Sequence, residues 1–317
     1  MGLGLGWKAA LRWAAVWLAL APGPVLAAYS CSLVVQRVNL IARTAIATTA
    51  IHMLTLNCSR APTDPSSMTY RIAAGNGANA SGQTRRVRLG TTGSYLNYRL
   101  NRGSSMGQTA PCGINGTIWR ASGSGLVTGT MNFGSSLTAS HTWSYCVEAN
   151  PSLFLPAGVY TDQVALTLRY PNTGSGQLLT VPLDLQFGVQ TLCLIDKPIA
   201  NLSINYTSLQ AAPAIASTQV LLRCNAGTPW TVGLQGPAAP TAPPVANLTN
   251  QSLLGLSYSL QVSPTSGTGQ GNTGTGAPGN EGQQPVTIQL TVPGGQAGTC
   301  STGSCSASAT HTLVVTY

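Results

Sequence analysis

From about residue 28 onward, apolar side chains alternate with polar ones over short stretches, and turn residues break the pattern about every 8–12 positions. Leu96, Tyr98 and Leu100 are separated by Asn97 and Arg99, and Leu256, Tyr258 and Leu260 by Ser257 and Ser259. Period-two placement puts such triplets on one face of a strand. No stretch beyond the N-terminus keeps a 3.6-residue apolar period. The pattern predicts an all-β chain of sandwiches rather than helices or βαβ units.

The pattern also repeats. Cys31 opens one apolar run and Cys193 another, and a later strand ends at Cys58 in the first copy and Cys224 in the second. An aromatic-led strand follows each, at Tyr70-Arg71-Ile72 and Trp230-Thr231-Val232, and then the Leu-x-Tyr-x-Leu triplets. Four landmarks in one order predict two copies of a β unit, residues 28–190 and 191–317. The copies end differently. In the first, the run Val164 to Tyr170 is followed by a turn and a last run, Leu178 to Val189; in the second, the matching run His311 to Tyr317 closes the sequence. The expectation is a C-terminal sandwich lacking its last strand, with Leu313, Val315 and Tyr317 marking an unpaired edge that receives a strand from another chain.

Residues 1–27 read as a signal peptide. Lys8 and Arg12 precede an apolar run from Trp13 to Ala21, then Pro22-Gly23-Pro24 and the cleavage-like Val25-Leu26-Ala27. That run is too short to span a bilayer, so the chain is expected to be exported. Eight cysteines, four per unit, then read as disulfides. Sequence leaves their connectivity open. The repeat favours Cys31–Cys58 and Cys193–Cys224, which leaves Cys112–Cys146 and Cys300–Cys305. No Cys-x-x-Cys occurs and the three histidines lie far from the cysteines, so no metal or cofactor is expected.

Only 7% of residues are charged. The first unit holds eleven Arg against four acidic residues, about +7, while the second is about neutral. Six carboxylates, three histidines and no recognised nucleophile or phosphate-loop motif argue against an enzyme. Asp162, Asp184 and His311 lie in strand contexts and read as structural. Arg85, Arg86 and Arg88 form the densest basic cluster, with Arg86 and Arg88 on one face; nucleic acid is not expected as a partner. The stretch Gly103 to Ala157 resembles an insertion, and its Trp143, Tyr145, Leu153 and Phe154 are candidate surface-binding loop residues, with Trp119 behind them. Ser263 to Pro285 has hardly an apolar residue and is expected to be a mobile loop.

These landmarks resemble the spore coat protein U domain, from which archaic chaperone–usher pili of the Csu type build their pilins. The resemblance rests on the Cys31/Cys58 and Cys193/Cys224 pairs, the Leu-x-Tyr-x-Leu strands and Gly158-Val159-Tyr160-Thr161-Asp162 leading into Val164–Leu168. In the second copy Ser306 to His311 replaces that lead-in. The resemblance implies incomplete immunoglobulin-like sandwiches, completed first by a periplasmic chaperone and then by a neighbouring pilin, and exported through an outer-membrane usher. Cleavage after Ala27 would leave three residues before Cys31, about 10 Å at most, too short for a donor strand. The family reading is therefore a tip adhesin, meeting an abiotic or host surface and promoting biofilm growth. The alternative is a secreted structural or spore-coat-like envelope protein.

Overall fold

A computed structural model describes residues 29–317 except 43–46, 104–106, 114–115, 150–154, 172–175, 197–200, 238–241, 272–281 and 301–302. The signal-peptide reading lies outside the described residues. In the first unit, β1 (Ser30–Val35), β2 (Val38–Ala42), β3 (Thr48–Ser59), β4 (Ser67–Ala74), β5 (Arg85–Leu89) and β6 (Tyr95–Arg102) are followed by β7 (Thr117–Ile118) and a 3₁₀ turn at Gly123–Gly125. Then come β8 (Val127–Asn132), β9 (Thr138–Ala149), β10 (Gly158–Tyr170) and β11 (Gln177–Val189). In the second unit, β12 (Cys193–Ile195), β13 (Ala214–Cys224), β14 (Pro229–Gln235), β15 (Asn247–Leu253) and β16 (Leu256–Ser263) precede β17 (Ser266–Thr268), β18 (Gln284–Val292) and β19 (Thr312–Thr316). The chain is all-β.

The alternation seen in sequence becomes burial. Along β10, Tyr160, Val164, Leu166 and Leu168 are fully buried and Val159 and Thr161 are exposed. Two separate hydrophobic cores form: one runs from Tyr29 to Val189, the other from Cys193 to Val292 with Leu313 and Val315 on its flank.

The two units share a pairing scheme. β1 pairs β3 with Cys31 opposite Cys58, and β12 pairs β13 with Cys193 opposite Cys224. β3 then pairs β9, which pairs β6; likewise β13 pairs β18, which pairs β16. The Leu-x-Tyr-x-Leu triplets lie on β6 and β16. The aromatic-led strands β4 and β14 bond to β10 and β19 respectively.

Two expectations need correction. The stretch from Gly103 to Ala157 is not an appended loop, since it contains β7, β8 and the twelve-residue β9 at the centre of the sheet. The segment from Ser263 to Pro285 is not wholly irregular: β17 bonds to β14, and β18 begins at Gln284. Backbone hydrogen bonding can order a polar segment when a neighbouring strand offers a free edge.

Candidate functional site: an open edge in the second unit

β10 is bonded along both sides. β4 and β5 flank one side, and β11 runs antiparallel along the other from Gly158↔Val189 to Tyr170↔Gln177. β11 is in turn bonded in parallel to β2, with Leu185 opposite Val38 and Phe187 opposite Leu40. Leu183, Leu185, Phe187 and Val189 of β11 point into the core, each at most 5% exposed. The first unit is therefore closed by its own strand.

β19 occupies the place of β10, but its ladder runs to β14 alone, from Thr231↔Thr316 to Gln235↔Thr312. Among the described residues no strand bonds to its other side, and none corresponds to β11. The side chains record the difference. Leu313 and Val315 are only half-buried, whereas Val164, Leu166 and Leu168 of β10 are fully buried. Tyr317 lies just past the strand and is exposed.

A second segment has the same incompleteness. Residues 201–206 follow β12 and precede β13, as β2 lies between β1 and β3 in the first unit. Leu202, Ile204 and Tyr206 are half-buried against the second core and alternate with exposed Asn201, Ser203 and Asn205. That is strand-like alternation in a stretch with no ladder partner among the described residues. Tyr206 is anchored instead by its hydroxyl, which accepts from the Gln296 amide at 2.9 Å.

The other candidate residues fall as follows. All eight cysteines pair: Cys31–Cys58, Cys112–Cys146, Cys193–Cys224 and Cys300–Cys305. Trp143 and Tyr145 are core residues of β9, 4% and 0% exposed, not loop tips, and Trp119 is fully buried. Trp143 Nε1 donates to Tyr70 Oη at 2.7 Å, and Tyr70 shares a 2.9 Å hydrogen bond with His141 Nδ1. Leu153 and Phe154 lie outside the described residues.

The basic cluster splits. Arg85 is buried and its guanidinium donates to the carbonyls of Ala74, Gly75 and Trp119, so it is a structural pin. Arg86 lies over the Tyr95 ring at 4.2 Å. Asp184 accepts from Gln163 Nε2 at 2.9 Å and faces Arg37 at 3.7 Å.

Asp162 has a role that spacing alone did not reveal. Its Oδ2 accepts from Tyr98 Oη at 2.6 Å and its Oδ1 from the Asn79 amide at 3.0 Å, joining β10, β6 and the 75–84 loop. Burial, reinforced by Asp162, pushes the Tyr98 phenol up. The middle Tyr of Leu-x-Tyr-x-Leu and the Asp of Gly-x-Tyr-x-Asp were both visible in sequence; their meeting was not.

Comparison with known proteins gives part of the chain a likeness to a family. Residues 25–167 match the family described as the Spore Coat Protein U domain, so the match lies over the first unit, stops before the second, and covers just under half of the chain. No curated protein matches. Solved structures similar to the chain include the CsuC–CsuE chaperone–tip adhesion subunit pre-assembly complex from archaic chaperone–usher Csu pili of Acinetobacter baumannii. It shows 12% identity, covers 91% of this chain and 100% of that one, and has a TM-score of 0.41. The CupB6 tip adhesin from Pseudomonas aeruginosa shows 12% identity over 92% of this chain and 95% of that one, with a TM-score of 0.32. The CooA pilin subunit from enterotoxigenic Escherichia coli shows 10% identity over 50% and 98%, with a TM-score of 0.33. These overlaps are loose, and the reading below rests on the chain's own topology and on the family match.

Proposed function

We propose that this protein is a non-enzymatic pilus subunit of an archaic chaperone–usher system, standing at the fibre tip as an adhesin for surface attachment and biofilm growth. Residues 28–190 form a self-closed adhesin domain and 191–317 a strand-accepting pilin domain. The carrying observation is the difference between β10, bonded on both sides, and β19, bonded on one. By the correspondence of the two units, the place of β11 in the second unit lies between β19 and residues 201–206. An extended segment entering there completes two ladders and covers Leu202, Ile204, Leu313 and Val315. The occupant is a strand of a periplasmic chaperone in transit and of a neighbouring pilin in the fibre, after passage through an outer-membrane usher.

The magnitude suits an obligatory partner. Four or five apolar donor side chains at about 1.5–3 kcal/mol each give a gross gain comparable with a whole domain's net stability. The test mixes the purified chain with a synthetic donor-strand peptide from a neighbouring pilin and follows melting. The expected result is a higher melting temperature for the second unit alone. An unchanged melting profile at saturating peptide sinks strand acceptance.

A further inference from the structure

Residues 201–206 form one wall of the open edge, yet among the described residues their backbone makes no backbone hydrogen bond. Leu202, Ile204 and Tyr206 nevertheless keep one face on the second core. The segment is held at its two ends. On the β12 side, the Asp196 amide donates to the Leu221 carbonyl at 2.8 Å. The Asp196 carboxylate faces Arg223 at 3.0 Å and accepts from Gln283 Nε2 at 2.8 Å. At the other end, residues 206–211 are bound to the segment that follows β18. The Leu209 amide donates to the Gln296 carbonyl at 2.7 Å, and the Gly295 amide to the Gln210 carbonyl at 2.6 Å. Ser208 Oγ donates to the Ala297 carbonyl at 3.0 Å, and Tyr206 Oη accepts from the Gln296 amide. The two backbones lie so close that a Cβ on Gly294 would collide with the Ala211 carbonyl oxygen.

Gln296 also fixes this segment to the sandwich. Its Oε1 accepts from the Ser257 amide at 2.6 Å, and its Nε2 donates to the carbonyls of Ser257 and Pro293 at 3.0 and 2.9 Å. The Thr299 amide donates to the Leu254 carbonyl at 2.8 Å. Through its backbone Gln296 therefore grips the end of the wall, and through its side chain it grips β16. The turn it holds is strained: Leu209 has a φ of 60°, in the left-handed region that a leucine rarely adopts, and its side chain is 67% exposed. Such a turn persists only where its surroundings fix it. Here those contacts come from Gly295, Gln296 and Ala297.

We propose that residues 293–299 are a latch that positions the 201–206 wall before a donor strand arrives, with Gln296 as its positioning residue. The inference rests on the strand-accepting role proposed above and adds what prepares the site for it. A donor can form its ladder with 201–206 only when that stretch lies extended along the core. Without the latch the wall has no backbone partner to keep it there, so a smaller fraction of chains is competent to bind. Once a donor is in place, its own two ladders hold the wall and the latch is no longer needed. The latch therefore acts on donor entry and not on donor release.

The test follows association and dissociation rates of the synthetic donor-strand peptide on the full chain, well below the melting temperature of the second unit. Gln296→Ala is expected to slow association by about fivefold or more and to change dissociation by less than about twofold. Tyr206→Phe keeps the ring on the core and removes only the acceptor of the Gln296 amide; it should slow association by about twofold or more, again with dissociation unmoved. Gln219→Ala, an exposed glutamine of β13 bonded to Thr287, should leave both rates within about twofold of the parent chain. If Gln296→Ala fails to fold, Tyr206→Phe carries the test. Association at the parent rate in Gln296→Ala or Tyr206→Phe, or a loss that falls on dissociation instead, overturns the latch and leaves strand acceptance standing. A parent chain that does not take up the peptide overturns strand acceptance, and the latch with it.

Discussion

Asp162 and Trp143 show how single residues hold the first unit together. Asp162 is 5% exposed and takes the Tyr98 hydroxyl and two donors of Asn79. Asp162→Ala leaves those donors buried without an acceptor, a loss of about 2–3 kcal/mol. A fall of several degrees in the first unit's melting temperature, with the second unit's transition unmoved, is expected by calorimetry. Trp143→Ser removes a buried indole and the donor to Tyr70, and large aromatic truncations cost about 3–5 kcal/mol; the first unit's melting temperature should fall by more than in Asp162→Ala, and on the proposed function secretion should fail with it. The histidines add a pH dependence. His141 bonds to Tyr70 and His311 to Tyr258, each at 2.9 Å, and burial lowers both imidazole pKa values below the usual 6.5, as it does for His52. The unfolded chain therefore binds more protons near and below pH 6.5. Their stabilising contribution is complete above about pH 6.5 and is lost as pH falls through the lowered values. Melting temperatures of both units should drop between pH 7.5 and 5; a flat profile contradicts this.

Among the strands, β19 and β9 carry the two lessons about what a pattern reveals. β19 shows plain alternation, and its likeness to β10 was legible in sequence. The side chains across from it were not, because residues 201–206 alternate without belonging to a ladder and only the positions of β2 and β11 give them meaning. Ile204→Asp places a charge in that wall. It should abolish the stabilisation that a donor peptide gives while leaving the first unit's melting unchanged. β9 misled in the opposite way. Residues 143–147 are buried on both faces, since the loop carrying Gln108 and Cys112 covers the outer one. Ser144 Oγ bonds to the Gln108 carbonyl, and Cys146 is tied to Cys112. A strand covered on both sides loses its alternation, so its aromatics resembled loop residues in sequence.

At the scale of the molecule, two cores meet across a three-residue gap from Val189 to Cys193, with the buried Asn225 amide donating to the Leu155 carbonyl. The first unit is closed by β11, and the second has an open edge. Unfolding should therefore occur in two steps, with the second unit first. Limited proteolysis without donor peptide should cut within 191–317 while sparing 29–189. Cys193–Cys224 spans 31 residues and stabilises by about 3–4 kcal/mol in the loop-entropy model. Its reduction should unfold the donor-free second unit well before the first loses structure. The sequence by itself determined the all-β class, the doubled unit and its landmark strands, because side-chain alternation and cysteine spacing are local and survive without coordinates. Only the tertiary structure decided which aromatics are core, where Asp162 finds Tyr98, and that Arg71 and Arg169, 98 residues apart in sequence, stand opposite each other on adjacent strands. Those facts depend on strand order and register, which bring together distant residues that no local pattern links.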